Sequence, residues 1–286
     1  MVRRDNIAGQ YVLVAPLVVA TVAVVVIALA LTFMLSLQEK DPQRLFTSFT
    51  LSAYRESVIN PLYGRILLRT VMISGIITAV TVAAAYPVAY FIAFHVRRHK
   101  QALLLLITAP FLTSYLLRVF AWKIILGYNG VINASLTSLG VIDAPLQFLV
   151  YNPAAIVIAL SHAYVAFAVL PIYVALERID RDLLEAASDL GARPFARFLR
   201  VTLPLSLPGV LAAALLIFVP TIGDYVTPTL VGGPDGLMVG NLIQAQFGKS
   251  NDWPAGSALA VATIANVGLL LLALWVAGGL HRRLKA

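Results

Sequence analysis

Residues 185–204 read EAASDLGARPFARFLRVTLP. The stretch is polar, carries Arg193, Arg197 and Arg200, and lies between two long apolar segments. Just ahead of it, Asp182 and Glu185 have capping-box spacing, in which an acid and a glutamate three residues on satisfy each other's backbone donors. A short helix over 182–190 is expected, with Leu183, Leu184, Ala187 and Leu190 near one face. Gly191 falls where a left-handed cap ends a helix, a conformation that penalises a Cβ. Pro194 suits the first turn of a second helix. That helix places Phe195, Phe198, Leu199 and Thr202 at i, i+3, i+4 and i+7, with its arginines on the other side. Pro204 and Pro208 are expected to stop it before the next apolar segment. The product is a helix, a sharp turn and a helix at a membrane surface: a charged handle for a partner outside the bilayer.

Outward from this handle the chain is apolar. Of its 286 residues 60% are hydrophobic and 12% charged, where a soluble domain has about 45–50% and about 25%. Stretches near 12–35, 71–94, 103–126, 154–176, 208–225 and 257–277 approach the ~20 residues that cross a ~30 Å hydrocarbon layer. The reading is an all-α polytopic membrane protein with six transmembrane helices. Its segments are 1–65 (tail, first helix, first outer loop), 66–278 (a five-helix core with a cytoplasmic loop at 177–207) and a basic tail, 279–286. Arg3 and Arg4 before an apolar run resemble a secretory signal. The run over 12–35 exceeds the roughly 7–15 apolar residues of such a signal, so it is expected to stay as the first span.

The net charge of +8 has its cause in the same pattern. Cations bracket the spans, which points to the positive-inside rule rather than to nucleic acid. With a cytoplasmic N-terminus, 13 Lys and Arg fall inside and 6 outside, while Arg118 and Lys123 lie within the third span. Both termini and the 177–207 loop are then cytoplasmic.

Several local expectations follow. A short amphipathic helix is expected over 51–59. Pro87 should kink the second span. The third span, read as one helix, puts Arg118 fifteen residues in, about 22 Å along at ~1.5 Å per residue. From there Arg118 and Lys123 reach the outer interface, or Arg118 turns into the bundle. His162 reads as a structural hydrogen-bonder. The Gly- and Pro-rich 226–251 reads as a partly re-entrant outer loop.

Enzymatic chemistry has no foothold. There is no cysteine, no zinc spacing and no nucleophile elbow. Gly248-Lys249-Ser250 resembles the end of a phosphate-binding loop, but Ile243 stands where that loop needs glycine. Ser161 and His162 are adjacent on one helix and diverge, which suits no hydrolytic pair. No catalytic residue and no metal ligand is assigned. A carboxylate near hydrocarbon is costly and should have a reason to be there. Asp224 beside Tyr225 is the leading candidate, since a mid-helix carboxylate costs roughly 2.5–3.5 kcal/mol on insertion scales. Tyr115, Trp253 and Asp252 are placed with it in an outer gate. The other role open to Asp224 is a bond to Arg118 or to loop amides.

With these residues on the page, 185–204 resembles the EAA loop of permease subunits of ABC-type importers. Glu185, Ala186, Ala187, Gly191, Leu203 and Pro204 match that pattern, and Val201 stands where the family usually has isoleucine. Asp143-Ala144-Pro145, the run from Pro110 through Phe111, Leu112, Thr113 and Ser114 to Tyr115, Gly232-Gly233-Pro234 with Met238-Val239-Gly240-Asn241, and Asn251-Asp252-Trp253-Pro254 are similar to the spermidine/putrescine branch. The resemblance implies a type I importer core in the bacterial inner membrane. It implies a second, different permease, two ATPase subunits that bind ATP and Mg, and a periplasmic solute-binding protein. The matched residues would couple the ATPases to alternating access, and this chain would hydrolyse nothing. The implied cargo is a polyamine; relatives in the branch also take opines, amino-acid-like compounds and other amines. An ATP-independent secondary transporter is the reading from another class. It would show internal inverted symmetry or several intramembrane charges, and this chain shows neither clearly.

Overall fold

The computed structural model describes residues 7–40, 49–149 and 151–283. Arg3, Arg4 and the end of the basic tail, 284–286, lie outside them. Among the described residues the regular structure is helical, apart from an isolated bridge between Gln38 and Phe49. Six helical segments among the described residues are long and apolar enough to cross a membrane: Ala15–Ser36, Pro61–Phe94, Tyr115–Ser138, Pro153–Glu177, Pro194–Gly223 and Trp253–Val276. In hydrocarbon each backbone N–H and C=O must find a partner within its own segment, which is why apolar runs of this length fold as helices.

The chain forms two compact units, Met1–Arg65 with Leu242–Ala286, and Ile66–Asn241. In the first, α1 (Ile7–Ser36) packs along α11 (Trp253–Arg283). A single π-turn, Tyr54–Val58, stands where 51–59 is expected to be helical, and Tyr54 bonds Ser36 Oγ at 2.8 Å. Tyr63 OH meets Thr263 Oγ1 at 3.2 Å.

The second unit is built on α6 (Pro153–Glu177). Asn152 caps it by accepting from Ala154 N at 2.7 Å and Ala155 N at 3.2 Å, and Pro153 fills the first turn. Ala155, Ala159, Ala163, Ala166 and Ala168 are buried along it, and small residues let backbones approach. The closest approach is to α9 (Leu203–Gly223): a Cβ on Gly209 would sit 2.6 Å from the Pro171 carbonyl oxygen. Ile156, Leu160, Ile172, Leu176 and Ile217 fill the seam, joined by Ile77, Ala85 and Ala89 of α2 (Pro61–Phe94).

Two expectations need correction. The stretch 103–126, expected as the third span, is not one helix, and the spanning segment there is Tyr115–Ser138. Residues 100–126 form α3 (Lys100–Thr108), a 3-10 turn at Ala109–Leu112 and α4 (Tyr115–Leu126), and α5 (Val131–Ser138) follows α4. Pro110 cannot donate to the ladder, and Thr113 Oγ1 bonds back to the Pro110 carbonyl at 2.6 Å. Thr113 is extended at φ −77, ψ 155, and the ladder restarts with Arg118 N donating to Ser114 O at 3.2 Å. The distance for Arg118 assumed an unbroken helix and does not carry over.

Nor do Pro204 and Pro208 stop the helix that enters the fifth span. Pro194–Gly223 runs through both. Leu203 N–H reaches back five residues to Phe198 O, a π-turn over Phe198–Thr202. The wider turn displaces the carbonyls ahead of Pro204, so its ring is accommodated without ending the helix.

The 226–251 loop is divided between the units: it belongs to the second through Asn241 and to the first from Leu242 on. After a π-turn at Pro228–Gly232 and a 3-10 turn at Pro234–Gly236 comes α10 (Val239–Gly248). Met238 and Val239 are fully buried, and Val239 N donates to Thr70 Oγ1 at 2.9 Å.

Candidate functional site

The hairpin between α6 and α9 starts two residues earlier than the capping-box spacing implies. Asp180, extended at φ −63, ψ 129, is the N-cap of α7 (Arg181–Asp189); its Oδ1 accepts from Asp182 N at 3.1 Å. Asp182 already lies in the first turn, where its charge complements the helix dipole instead of capping. The far end is a Schellman motif. Ala192 N reaches Ala187 O at 3.0 Å, Gly191 N reaches Ser188 O at 2.9 Å, and Gly191 has φ +81. Nothing lies within 4 Å of a Cβ built on Gly191, so the glycine serves the backbone rotation alone.

Pro194 opens α8 (Pro194–Arg197), and Arg197 Nη1 ties the two short helices by bonding Ser188 Oγ at 2.7 Å. Phe198 turns inward, edge-on to Tyr86 and Tyr90 at 5.6 and 6.3 Å between centroids. Leu184 packs against the core and Thr202 is buried. Their partners on the sequence stripes stay out: Leu190 is 89% and Phe195 72% exposed. Glu185, Ala186, Gly191 and Pro204 are exposed, while Ala187 and Leu203 are half-buried. The structure therefore holds one end of the motif on α7 and its turn, and the other at the first residues of α9.

A second cluster gathers where α9 ends. Tyr115, at the restart of the broken span, donates its hydroxyl to Asp224 Oδ2 at 2.7 Å. A phenol has one proton, so Thr227, 2.6 Å from the same oxygen, donates to it. Asp224 Oδ1 accepts from Val226 N at 2.9 Å and Thr227 N at 3.4 Å. Of the two alternative partners for Asp224, loop amides are realised and Arg118 is not. A carboxylate accepts at about four positions; three are engaged here, leaving room for one further donor. Tyr225 follows with an exposed ring.

Asn241, which the residue chemistry did not single out, holds this loop. Its amide donates to Tyr225 O at 2.9 Å and Thr229 Oγ1 at 2.8 Å, and its Oδ1 accepts from Met238 N at 3.0 Å. The glycines serve close packing. A Cβ on Gly240 would lie 2.8 Å from Asp224 O, and Cβ atoms on Gly232 and Gly236 would lie 2.7 and 2.9 Å from Ile156 Cδ1.

Arg118 turns onto α6. Its Nη1 donates to Ala163 O at 3.2 Å, and its guanidinium stands 5.1 Å from the Phe111 ring centroid. His162 is the structural hydrogen-bonder expected, accepting from Trp122 Nε1 at 3.3 Å.

Asp252 and Trp253 belong to the other unit, and each has a local role there. Asp252 Oδ1 accepts from Ala255 N at 3.0 Å to start α11, and its Oδ2 pairs with Lys40 Nζ at 2.8 Å. That hydrogen bond, with the attraction of the carboxylate, raises the pKa of the Lys40 amine. Trp253 Nε1 bonds Asn251 Oδ1 at 3.0 Å and sets its ring edge-on to Phe247. Among the described residues no three His, Asp or Glu side chains group as a metal site.

A six-span helical body with a capped polar hairpin before the fifth span defines a class, and comparison with known proteins agrees. The family of binding-protein-dependent transport system inner membrane components matches residues 85–286, and this chain belongs to it, as a multi-pass inner-membrane permease subunit of an ABC importer. It is 38% identical over 232 residues to the spermidine/putrescine transport system permease protein PotB of Escherichia coli K12, covering 81% of this chain and 84% of that protein. The protein of the same name from Haemophilus influenzae is 37% identical over 227 residues, 79% of each chain. In fold the chain matches a subunit of a bacterial ABC transporter that imports the acidic polysaccharide alginate, with a TM-score of 0.71 over 99% of each chain at 16% identity.

Proposed function

We propose that this chain is a polyamine permease, forming a translocation pathway with a second, different permease subunit. Two ATPase subunits bind ATP and Mg and dock on the hairpin of α7 and α8. A periplasmic solute-binding protein delivers the cargo, and hydrolysis takes place outside this chain. The observation that carries the energy-coupling half is the hairpin itself: a cap-rigid unit with Leu190 and Phe195 exposed at its tip and Phe198 and Leu184 rooted in the body. Apolar side chains presented on a small charged projection suit a groove in a protein partner. Glu185, Ala186, Ala187, Gly191, Leu203 and Pro204 are its coupling residues. Movement of the hairpin tilts α6 and α9 together, because the Gly209 seam joins them, and the pathway switches its opening in the manner of alternating access.

Cargo class rests on the relatives named for spermidine and putrescine, together with Asp224, Tyr115 and Tyr225, which offer a carboxylate position and aromatic faces to an amine. Asp252 and Trp253 are assigned to the outer mouth. A second reading, an amine that also carries a carboxylate, draws on Arg118: no carboxylate stands within ion-pair distance of it among the described residues. Functionally the chain divides into 1–65, the core 66–278 and the tail 279–286, with both termini cytoplasmic. A reporter fused after Arg200 should read cytoplasmic and one near Gly236 periplasmic; the reverse overturns this topology. The direct test is ATP-dependent uptake by the reconstituted complex. Labelled spermidine should accumulate and resist competition by excess amino acids. Uptake without ATPase subunits refutes the importer mechanism, and displacement by amphoteric amines favours the second reading.

A further inference from the structure

One ammonium group joins three helix ends at an edge of the larger unit. Lys100 Nζ lies 2.7 and 2.8 Å from the two carboxylate oxygens of Glu177, and 3.0 Å from the Ala93 carbonyl oxygen. Ala93 is in the last turn of α2, where carbonyls have no partner within the helix. Lys100 opens α3, and Glu177 ends α6, three residues before the Asp180 cap of the hairpin.

The stability of α3 does not select a cation at this position. Positive charge in a first turn opposes the helix dipole, and the residue ahead, His99, makes no side-chain cap. The side chain is nevertheless held in, with 19% of it exposed against 42% for Glu177. A lysine ammonium has three donors, and these three contacts engage them. The hairpin's own contact with α2 is through the ring edges of Phe198, Tyr86 and Tyr90; the polar bond from α2, Tyr86 OH to Ser206 Oγ at 2.8 Å, falls farther on, in α9. Ring edges can slide over one another, whereas a clamped ion pair fixes distance.

We propose that Lys100 and Glu177 are positioning residues forming a strut, which passes displacement of the hairpin into the turn between α2 and α3. The proposal rests on the reading of the hairpin as the ATPase contact. On that reading, ATP-driven movement at α7 reaches α9 directly through the chain, and from α9 the middle of α2 through Tyr86 and Ser206, while the strut carries it to the end of α2 and the start of α3. Loss of the strut leaves docking intact and makes transport inefficient.

The experiment uses the assembled complex in proteoliposomes with labelled spermidine and compares wild type, K100E, E177K and K100E/E177K. It reads ATPase copurification and solute moved per ATP hydrolysed. Each single variant should bind the ATPase at wild-type level yet move roughly fivefold less solute per ATP, equivalent to about 1 kcal/mol for a partly exposed ion pair. The swapped pair should recover most of that loss, and K100R should keep close to wild-type stoichiometry. Wild-type stoichiometry in the single variants, or a swapped pair no better than either, overturns the strut. If K100E fails to accumulate, K100Q, E177Q and their combination carry the same comparison. A combined loss no larger than either single loss supports the strut, and additive losses overturn it. Wild-type complex that moves spermidine without ATP, or lacks copurified ATPase, would instead refute the importer reading itself.

Discussion

Replacing Gly191 with alanine isolates backbone rotation from packing at the coupling hairpin. Gly191 sits at φ +81 in the Schellman cap, and a Cβ there meets nothing within 4 Å. The cost is therefore the left-handed penalty alone, about 1–2 kcal/mol for an L-residue. Against it stands a smaller unfolded-state gain of about 0.4–1 kcal/mol on replacing glycine. The net, roughly 1 kcal/mol, shifts the capped hairpin against uncapped forms about fivefold. Asparagine tolerates this region better than alanine, and valine less well because of its branched Cβ. The order of coupling efficiency should be glycine, asparagine, alanine, valine, read as solute moved per ATP in proteoliposomes with ATPase copurification measured alongside. Uncapping exposes the carbonyls of Ala187 and Ser188 and lets α8 swing, so docking should weaken in the same order. If alanine and valine match wild type in both readouts, the cap does not fix the hairpin and the mechanical reasoning fails.

Two further outcomes are expected. Gly209→Ala should destabilise the permease by about 1–3 kcal/mol, since its Cβ would lie 2.6 Å from Pro171 O in a packed seam. Gly75→Ala, in open space on α2, should cost nothing and can gain up to about 1 kcal/mol of helix propensity; equal melting temperatures in detergent would contradict the assigned seam. Asp224→Asn keeps a good cap for Val226 N but removes the charge, so dication uptake should fall about tenfold, near 1.4 kcal/mol. Equal loss for a neutral solute would take Asp224 off the cation path.

The sequence on its own determined what local chemistry determines. Apolar runs of spanning length announced a helical membrane body, because hydrocarbon leaves the backbone no other way to satisfy its polar groups. Gly191 and Pro194 announced the hairpin, because each answers a short-range backbone demand. The EAA spacing is local for the same reason. What the tertiary structure alone decided involves competition between neighbours. Asp180 rather than Asp182 caps α7, because the chain leaving α6 is still extended at Asp180. The stretch expected as the third span breaks at Pro110 and Thr113, because a side-chain bond there replaces a ladder bond, while Pro204 is absorbed by a π-turn. The meetings of Tyr115 with Asp224, 109 residues apart, and of Lys100 with Glu177, 77 apart, join distant parts of the chain. No periodicity encodes such meetings, since they depend on how closely α6 and α9 pack and on where the broken span resumes.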